Sequence, residues 1–186
     1  MRKVIAAINM SLDGNCDHTA MLPNDHILDH YTELIQHAGT ALYGRKTYHL
    51  MEYWRELLEN PSGNSAEHDF AVAMDRLPKI VFSRKLKAVD WHSARLAEKG
   101  LKETVMELKG QKGKDILIGS PSLIVDFLNQ GLVDELQICI HPVLVGKGPL
   151  LFKDMGERKL LRLRRTKNLE GGAVVLYYGV HNEQHS

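Results

Sequence analysis

Thr40-Ala41-Leu42-Tyr43-Gly44-Arg45-Lys46-Thr47 decides how this chain reads. Four small or apolar residues make a strand buried on both faces, and the next four open a helical pattern that runs to about Leu58. Ile116-Leu117-Ile118-Gly119-Ser120-Pro121-Ser122-Leu123 repeats the arrangement, with a helix that ends before Gly131. Working outward, Val4 to Ile8 and Lys79 to Phe82 are two more short buried strands. A helix from Asn24 or Asp25 to about His37, with Gly39 as its stop, fills the first interval. A helix over about Glu67 to Asp75 precedes Lys79, and Leu101 to Leu108 is helical. Alternation of strand and helix through Gln130 implies a mostly parallel sheet with helices on both faces. Beyond it, Glu135 to Val143, Lys159 to Arg165 and Ala173 to Tyr178 read as strands, the last two around a Gly171-Gly172 turn. They add antiparallel strands at one edge.

The chain has 186 residues, 44% hydrophobic and 25% charged, with a formal charge of +1. That balance is ordinary for a globular protein, and nothing in it directs the chain to nucleic acid or an anionic membrane. The apolar run after Arg2 and Lys3 is too short for a signal-peptide core, and no stretch has the length of a membrane span. Cys16 and Cys139 form no CxxC pattern and read as reduced thiols. The expectation is one cytoplasmic domain over residues 1–186, with neither internal repeat nor linker.

Both strand-to-helix turns carry phosphate-binding logic. A glycine lets the backbone leave the strand tightly, Thr47 and Ser122 supply hydroxyl caps, and open N–H groups at each helix start receive an anion. Arg45 and Lys46 add positive charge at the first turn, and Pro121 suits the first position of the second helix. Ser83-Arg84-Lys85, directly after a strand, offers a hydroxyl and a guanidinium fork for a terminal phosphate. Either turn alone is a weak signal. Two at the carboxyl ends of parallel strands are better, because open α/β sheets bind ligands there.

The ordered set of motifs resembles a family. Asn9-Met10-Ser11-Leu12-Asp13-Gly14, Tyr43-Gly44-Arg45-Lys46-Thr47-Tyr48 and Val81-Phe82-Ser83-Arg84 are similar to the reductase domain of bacterial riboflavin biosynthesis, a relative of dihydrofolate reductase. So are Gly119-Ser120-Pro121-Ser122-Leu123, Gly131-Leu132-Val133-Asp134-Glu135-Leu136 and Pro142-Val143-Leu144-Val145-Gly146-Lys147-Gly148. The resemblance spans about residues 2–179. It implies a dihydrofolate-reductase-like three-layer α/β/α fold and an NADPH-dependent oxidoreductase that passes hydride to a small heterocycle, pterin-like or aminopyrimidine-like. It assigns Ala7 to the nicotinamide. Gly44, Arg45, Lys46 and Thr47 would lie at phosphates, Ser83 and Arg84 at the adenosine 2′-phosphate, and Gly119, Ser120, Pro121, Ser122 and Leu123 at the pyrophosphate. Substrate would enter between the Ser11–Pro23 loop and the first helix, where Asp25, or Asp29 one turn later, is the candidate acid. The family also implies a homodimer formed through the strand-rich end.

Departures narrow the substrate. Ile118 stands where the riboflavin reductases carry a substrate-binding acid, and Ser120 replaces the second glycine of their pair. Met51-Glu52-Tyr53-Trp54-Arg55 replaces the stretch that grips the ribose phosphate, which points away from the riboflavin intermediate. His18, His26, His30 and His37 read as a solvated face rather than a metal site, so no metal is expected. Other readings of the same motifs are a non-catalytic nucleotide-binding module and a reductase that uses a deazaflavin carrier.

Overall fold

The computed structural model describes residues 1–180; residues 181–186, the tail of the expected single domain, lie outside the described residues. The elements are β1 (Val4–Ser11), α1 (Asp25–His37), β2 (Ala38–Gly44), α2 (Arg45–Glu59), α3 (Ser65–Arg76), β3 (Lys79–Phe82) and β4 (Ala94–Leu96). Then follow α4 (Leu101–Gly110), β5 (Asp115–Ile118), α5 (Pro121–Asn129), β6 (Glu135–His141), β7 (Leu161–Asn168) and β8 (Val174–Val180). One sheet holds all eight strands in the order β4-β3-β2-β5-β1-β6-β8-β7. The first six in that order run parallel. β8 is antiparallel to β6, and β7 is antiparallel to β8.

The period of two along each strand sorts the core into layers. Val4, Ala6 and Ile8 of β1 pack with Leu42, Ile116 and Ile118 under α4 and α5. Ala7 of the same strand joins Ala41, Tyr43, Val81 and Leu117 under α1, α2 and α3. Strands buried on both sides have no polar alternation to display, which is why they read as unbroken apolar runs. The architecture is the three-layer α/β/α arrangement expected, with a mixed sheet.

Several local expectations are corrected. Gly39 does not end α1. The helix closes at Ala38, and Gly39 lies inside β2. Its hydrogen side chain is needed for close approach, because a Cβ there would stand 3.0 Å from the Lys114 carbonyl and 3.1 Å from the Arg2 guanidinium. Arg2 itself is buried, donating to the Lys114 and Leu108 carbonyls and to Thr40 Oγ1, so it fastens the start of β1 rather than decorating a terminus. Of the two proposed caps of α1, Asn24 is the one used: its side chain accepts from Ile27 N–H at 3.0 Å. β1 runs on to Ser11. β4, two half-buried residues around the exposed Arg95 after an irregular connection, gave no periodic signal.

Lys79 at the start of β3 is buried, with 1% exposure. Its ammonium donates to the Met74 and Leu77 carbonyls at the end of α3 and to Ser93 Oγ, and lies 3.9 Å from the Trp91 ring centroid. Three donors meet three acceptors over an aromatic face, so the helix end is satisfied without water. Burial pushes the amine down to about 7. The unfolded chain keeps that proton to about pH 10, so folding gains stability as pH rises from about 7 toward 10. We predict that Lys79→Met costs about 3 kcal/mol, because buried acceptors lose their donors. The wild type's advantage should widen by about 2 kcal/mol between pH 7 and 9 in urea denaturation. A constant difference across that range would contradict the assignment.

Candidate active site

Parallel pairing puts the carboxyl ends of β1, β2, β3, β5 and β6 along one edge. β2 and β5 are neighbours, so the two glycine turns that the sequence singled out touch each other. Gly44 N–H donates to Ser120 Oγ at 2.9 Å, joining the start of α2 to the start of α5. A Cβ on Gly44 would stand 3.8 Å from the hydroxyl oxygens of both Ser120 and Ser122 and 3.9 Å from Leu123 Cγ. One on Gly119 would stand 3.4 Å from Tyr43 Cε1 and 4.0 Å from the Ala7 carbonyl oxygen. Gly44, Gly119, Ser120, Ser122, Leu123 and Ala7 therefore form one cluster.

The structure revises how that cluster is built. Gly44 has φ −79° and ψ 163°, a backbone any residue adopts, so the glycine is not required by the turn. What it contributes is open space in front of α5. Thr47 does not cap α2: Gly44 is the N-cap, and Thr47 lies within the first turn. Ser122 does not cap α5 either. Ser120 is the N-cap, and its buried hydroxyl is spent on Gly44 instead of on its own helix. Both helices consequently begin without a side-chain cap, whereas α1 and α3 are capped by Asn24 and Asn64. The first-turn amides of α2 and α5, with their share of helix dipole, face the edge of the sheet. Pro121 at the first position of α5 has no amide to leave open. Leu123 is buried in the core, so only its backbone is available to a ligand.

Positive charge lies beside these amides. Arg45 and Thr47 are half-buried and Lys46 is exposed at the start of α2. At the exit of β3, two places along the sheet from β5, Ser83 Oγ accepts from the Lys85 and Leu86 amides at 3.1 and 3.0 Å. That turn fixes the hydroxyl and leaves Arg84 exposed.

On the α1 side of the sheet, β1 and β6 pair in register from Ile5↔Glu135 to Ser11↔His141. His141 is 1% exposed at the end of β6. Its Nε2 is 3.0 Å from Asn9 Oδ1, and its Nδ1 accepts Leu22 N–H at 3.2 Å. Acceptance at Nδ1 puts the proton of the neutral ring on Nε2, which donates to Asn9. Burial lowers the His141 pKa, and burial pushes the adjacent Cys139 thiol up to about 11. The reading of the sequence passed over His141 and took Asn9 only as the start of a family motif, without a role. The one available signal was a polar residue inside the apolar run of β1 and another at the end of β6.

Asp25 and Asp29 are both exposed on the first two turns of α1. Asp25 Oδ1 accepts from Asn64 Nδ2 at 2.9 Å, which links the start of α1 to the start of α3. The loop after β1 is strapped to the segment after β6. Asp13 accepts from the Val145 and Gly146 amides and from Ser11 Oγ, bonds that hold its carboxyl down at about 2. Asn15 donates to the Lys147 carbonyl. Gly148, at φ +131°, leaves room that a side chain would deny the Asn15 amide. The histidines of α1 diverge: His26 pairs with Glu170, His30 is buried edge-on to Tyr177 and pushed down to about 4, and His37 is bonded to the Glu33 carbonyl. Cys16 and Cys139 carry free thiols.

No helix among the described residues is long and apolar enough to cross a membrane. The fold is that of a putative riboflavin biosynthesis protein from Shewanella, with a TM-score of 0.72 at 19% identity over 97% of this chain and 99% of that one. The riboflavin biosynthesis reductase of Saccharomyces cerevisiae superposes with a TM-score of 0.58 at 16% identity, over 97% and 90% of the two chains. In sequence, the chain is 33% identical over 181 residues to the uncharacterized protein YyaP of Bacillus subtilis, covering 95% of this chain and 94% of the relative. The model of the RibD C-terminal domain matches residues 2–177, so the chain belongs to that family.

Proposed function

We propose that the chain is an NADPH-dependent reductase of a small heterocyclic substrate, working at the carboxyl edge of its sheet. The observation that carries this reading is the joined pair of uncapped helix starts, α2 and α5, tied by Gly44 N–H to Ser120 Oγ. Open amides at two adjacent helix N-termini, with Arg45 and Lys46 beside them, fit a pyrophosphate. The Ser83 hydroxyl and the exposed Arg84 guanidinium fit a 2′-phosphate at the neighbouring strand exit. Ala7, whose carbonyl borders Gly119, would support the nicotinamide ring against β1 in this reading.

When bound, the dinucleotide supplies the hydride, and the protein's work is positioning and charge. Gly44, Thr47 and residues 119–123 hold phosphates, and Ala7 supports the ring. Asp25, with one oxygen engaged by Asn64, has a second oxygen for a ring N–H of the substrate, and Asp29 is the alternative. The substrate carries no ribose phosphate in this reading. Arg55 is occupied by Asp90 at 3.1 Å and so does not serve that group, and Ile118, fully buried under α5, offers the substrate no acid.

The protein is also proposed to pair with a second copy through β7 and β8. β7 is exposed along nearly its whole length. Leu161 and Leu163 lie opposite Val180 and Tyr178 and so share their face of the sheet, with exposed Leu160 nearby in the chain. Covering this row removes apolar surface and an open strand edge from water.

We predict that Arg84→Ala weakens NADPH about 10- to 100-fold, the loss of one or two charge-assisted hydrogen bonds. NADH should weaken by less than about threefold. Calorimetric titration with both cofactors checks this, and equal losses would remove Arg84 from the 2′-phosphate. For the pairing, light scattering at micromolar concentration should return a dimer that Leu163→Arg converts to monomer. A wild-type monomer would contradict it.

A further inference from the structure

His141 holds together three elements that the proposed site needs in register. The imidazole stands at the end of β6, donates through Nε2 to Asn9 of β1, and accepts through Nδ1 the amide of Leu22, the residue two before the N-cap of α1. Pro23 follows, so the chain has no other amide to offer between Leu22 and the cap Asn24. The loop from Ser11 to Pro23 is thus held at both ends. Near β1, Asp13 and Asn15 are strapped to residues 145–147; near α1, the single bond to His141 keeps Leu22 against the sheet.

We propose that His141 is a positioning residue whose neutral ring latches the Ser11–Pro23 loop over the substrate side of the cleft, and that its protonation releases the loop. The proposal rests on the reductase reading for its effect on turnover, but the latch itself does not. A protonated ring carries N–H on both nitrogens. Nδ1–H would then face Leu22 N–H, donor against donor, and the bond could not survive. The Nε2–H bond to Asn9 would remain. Protonation therefore frees the loop without freeing the histidine.

Burial favours the neutral ring and outweighs the opposing pull of the Leu22 backbone. Cys139 on the same strand stands 3.9 Å away as a thiol. Tyr31 of α1 and Tyr177 of β8, on the elements packed over this face, are both pushed upward by burial and stay uncharged. The loop carries Asp13 and Asp17, both ionised well into the acid range, and exposed His18. The start of α1 carries Asp25, His26 and Asp29, and the β7–β8 turn carries Glu170, which pairs with His26. His18 and His26 are the exposed imidazoles of these elements, and the buried His30 of α1 is pushed down to about 4. The folded His141 pKa lies below the free imidazole value of about 6.5. The latch is therefore present above that value and lost as pH falls through the lower, folded one.

The test is hydrogen exchange of the full chain without any ligand, read as protection of the Leu22 amide and its neighbours 19–21, the α1 end of the loop, between about pH 7.5 and 4.5. Wild-type protection should fall at least about tenfold across this range, while β5 and α5 keep theirs. His141→Asn places an amide oxygen where Nδ1 accepts and cannot titrate, so its loop protection should stay flat. His18→Gln and His26→Gln should behave as wild type. Flat protection in the wild type, or an unchanged acid-side loss in His141→Asn, would overturn the latch. Should His141→Asn fail to fold, the Nδ1 and Nε2 chemical shifts of wild-type His141 across the same range decide the matter. A ring that stays neutral while the loop opens refutes the proposal. In turnover, His141→Asn should lose the acid-side rise in substrate KM while keeping NADPH affinity. Absence of any turnover with normal loop behaviour would count against the reductase reading and leave the latch standing.

Discussion

The hydrogen bond from Gly44 N–H to Ser120 Oγ depends on one constraint: β2 and β5 must run parallel and adjacent. Given that pairing, two strand-to-helix turns far apart in sequence meet at one sheet edge. The serine hydroxyl that would ordinarily cap its own helix is spent across the gap. α5 is left with open first-turn amides as a result, beside those of α2, whose N-cap Gly44 has no side chain, and the proposed site rests on that pair rather than on any one residue. The same parallel pairing brings Ala7, Ser83 and His141 to the same edge from three other strands.

The fold was legible because its strands are buried on both faces. Val4 to Ile8, Thr40 to Tyr43, Lys79 to Phe82 and Ile116 to Ile118 read as short apolar runs, and all four are strands. Amphipathic spacing likewise marked α1, where Ile27, Tyr31 and Ile35 pack inward. Local chemistry was less legible. Thr47 and Ser122 looked like caps because a hydroxyl near a helix start normally is one, but the starts fall at Arg45 and Pro121. Gly39 looked like a stop. Its real reason is the close approach of Arg2 and Lys114, residues that only the fold brings near. β4 has neither length nor period to announce it.

Family resemblance and physical reading carry different parts of the account. The resemblance named NADPH and pointed to Asp25. The geometry gives the physical ground for proposing a phosphate at Gly44 and Gly119, and it shows Arg55 paired with Asp90 and Ile118 buried. The latch through His141 lay beyond both kinds of sequence reading, because its bonds span 119 and 132 residues of chain. Contacts of that range are products of topology, and no local pattern encodes them.

The most direct test of the central claim is amide mapping by heteronuclear NMR on adding NADPH. The account predicts shifts concentrated at Gly44, Arg45, Thr47, Ser83, Arg84, and 119–123, with Ala7 following. Shifts confined instead to the opposite end of the sheet, around Arg2 and Lys109 to Gly113, or none at saturating cofactor, would contradict it.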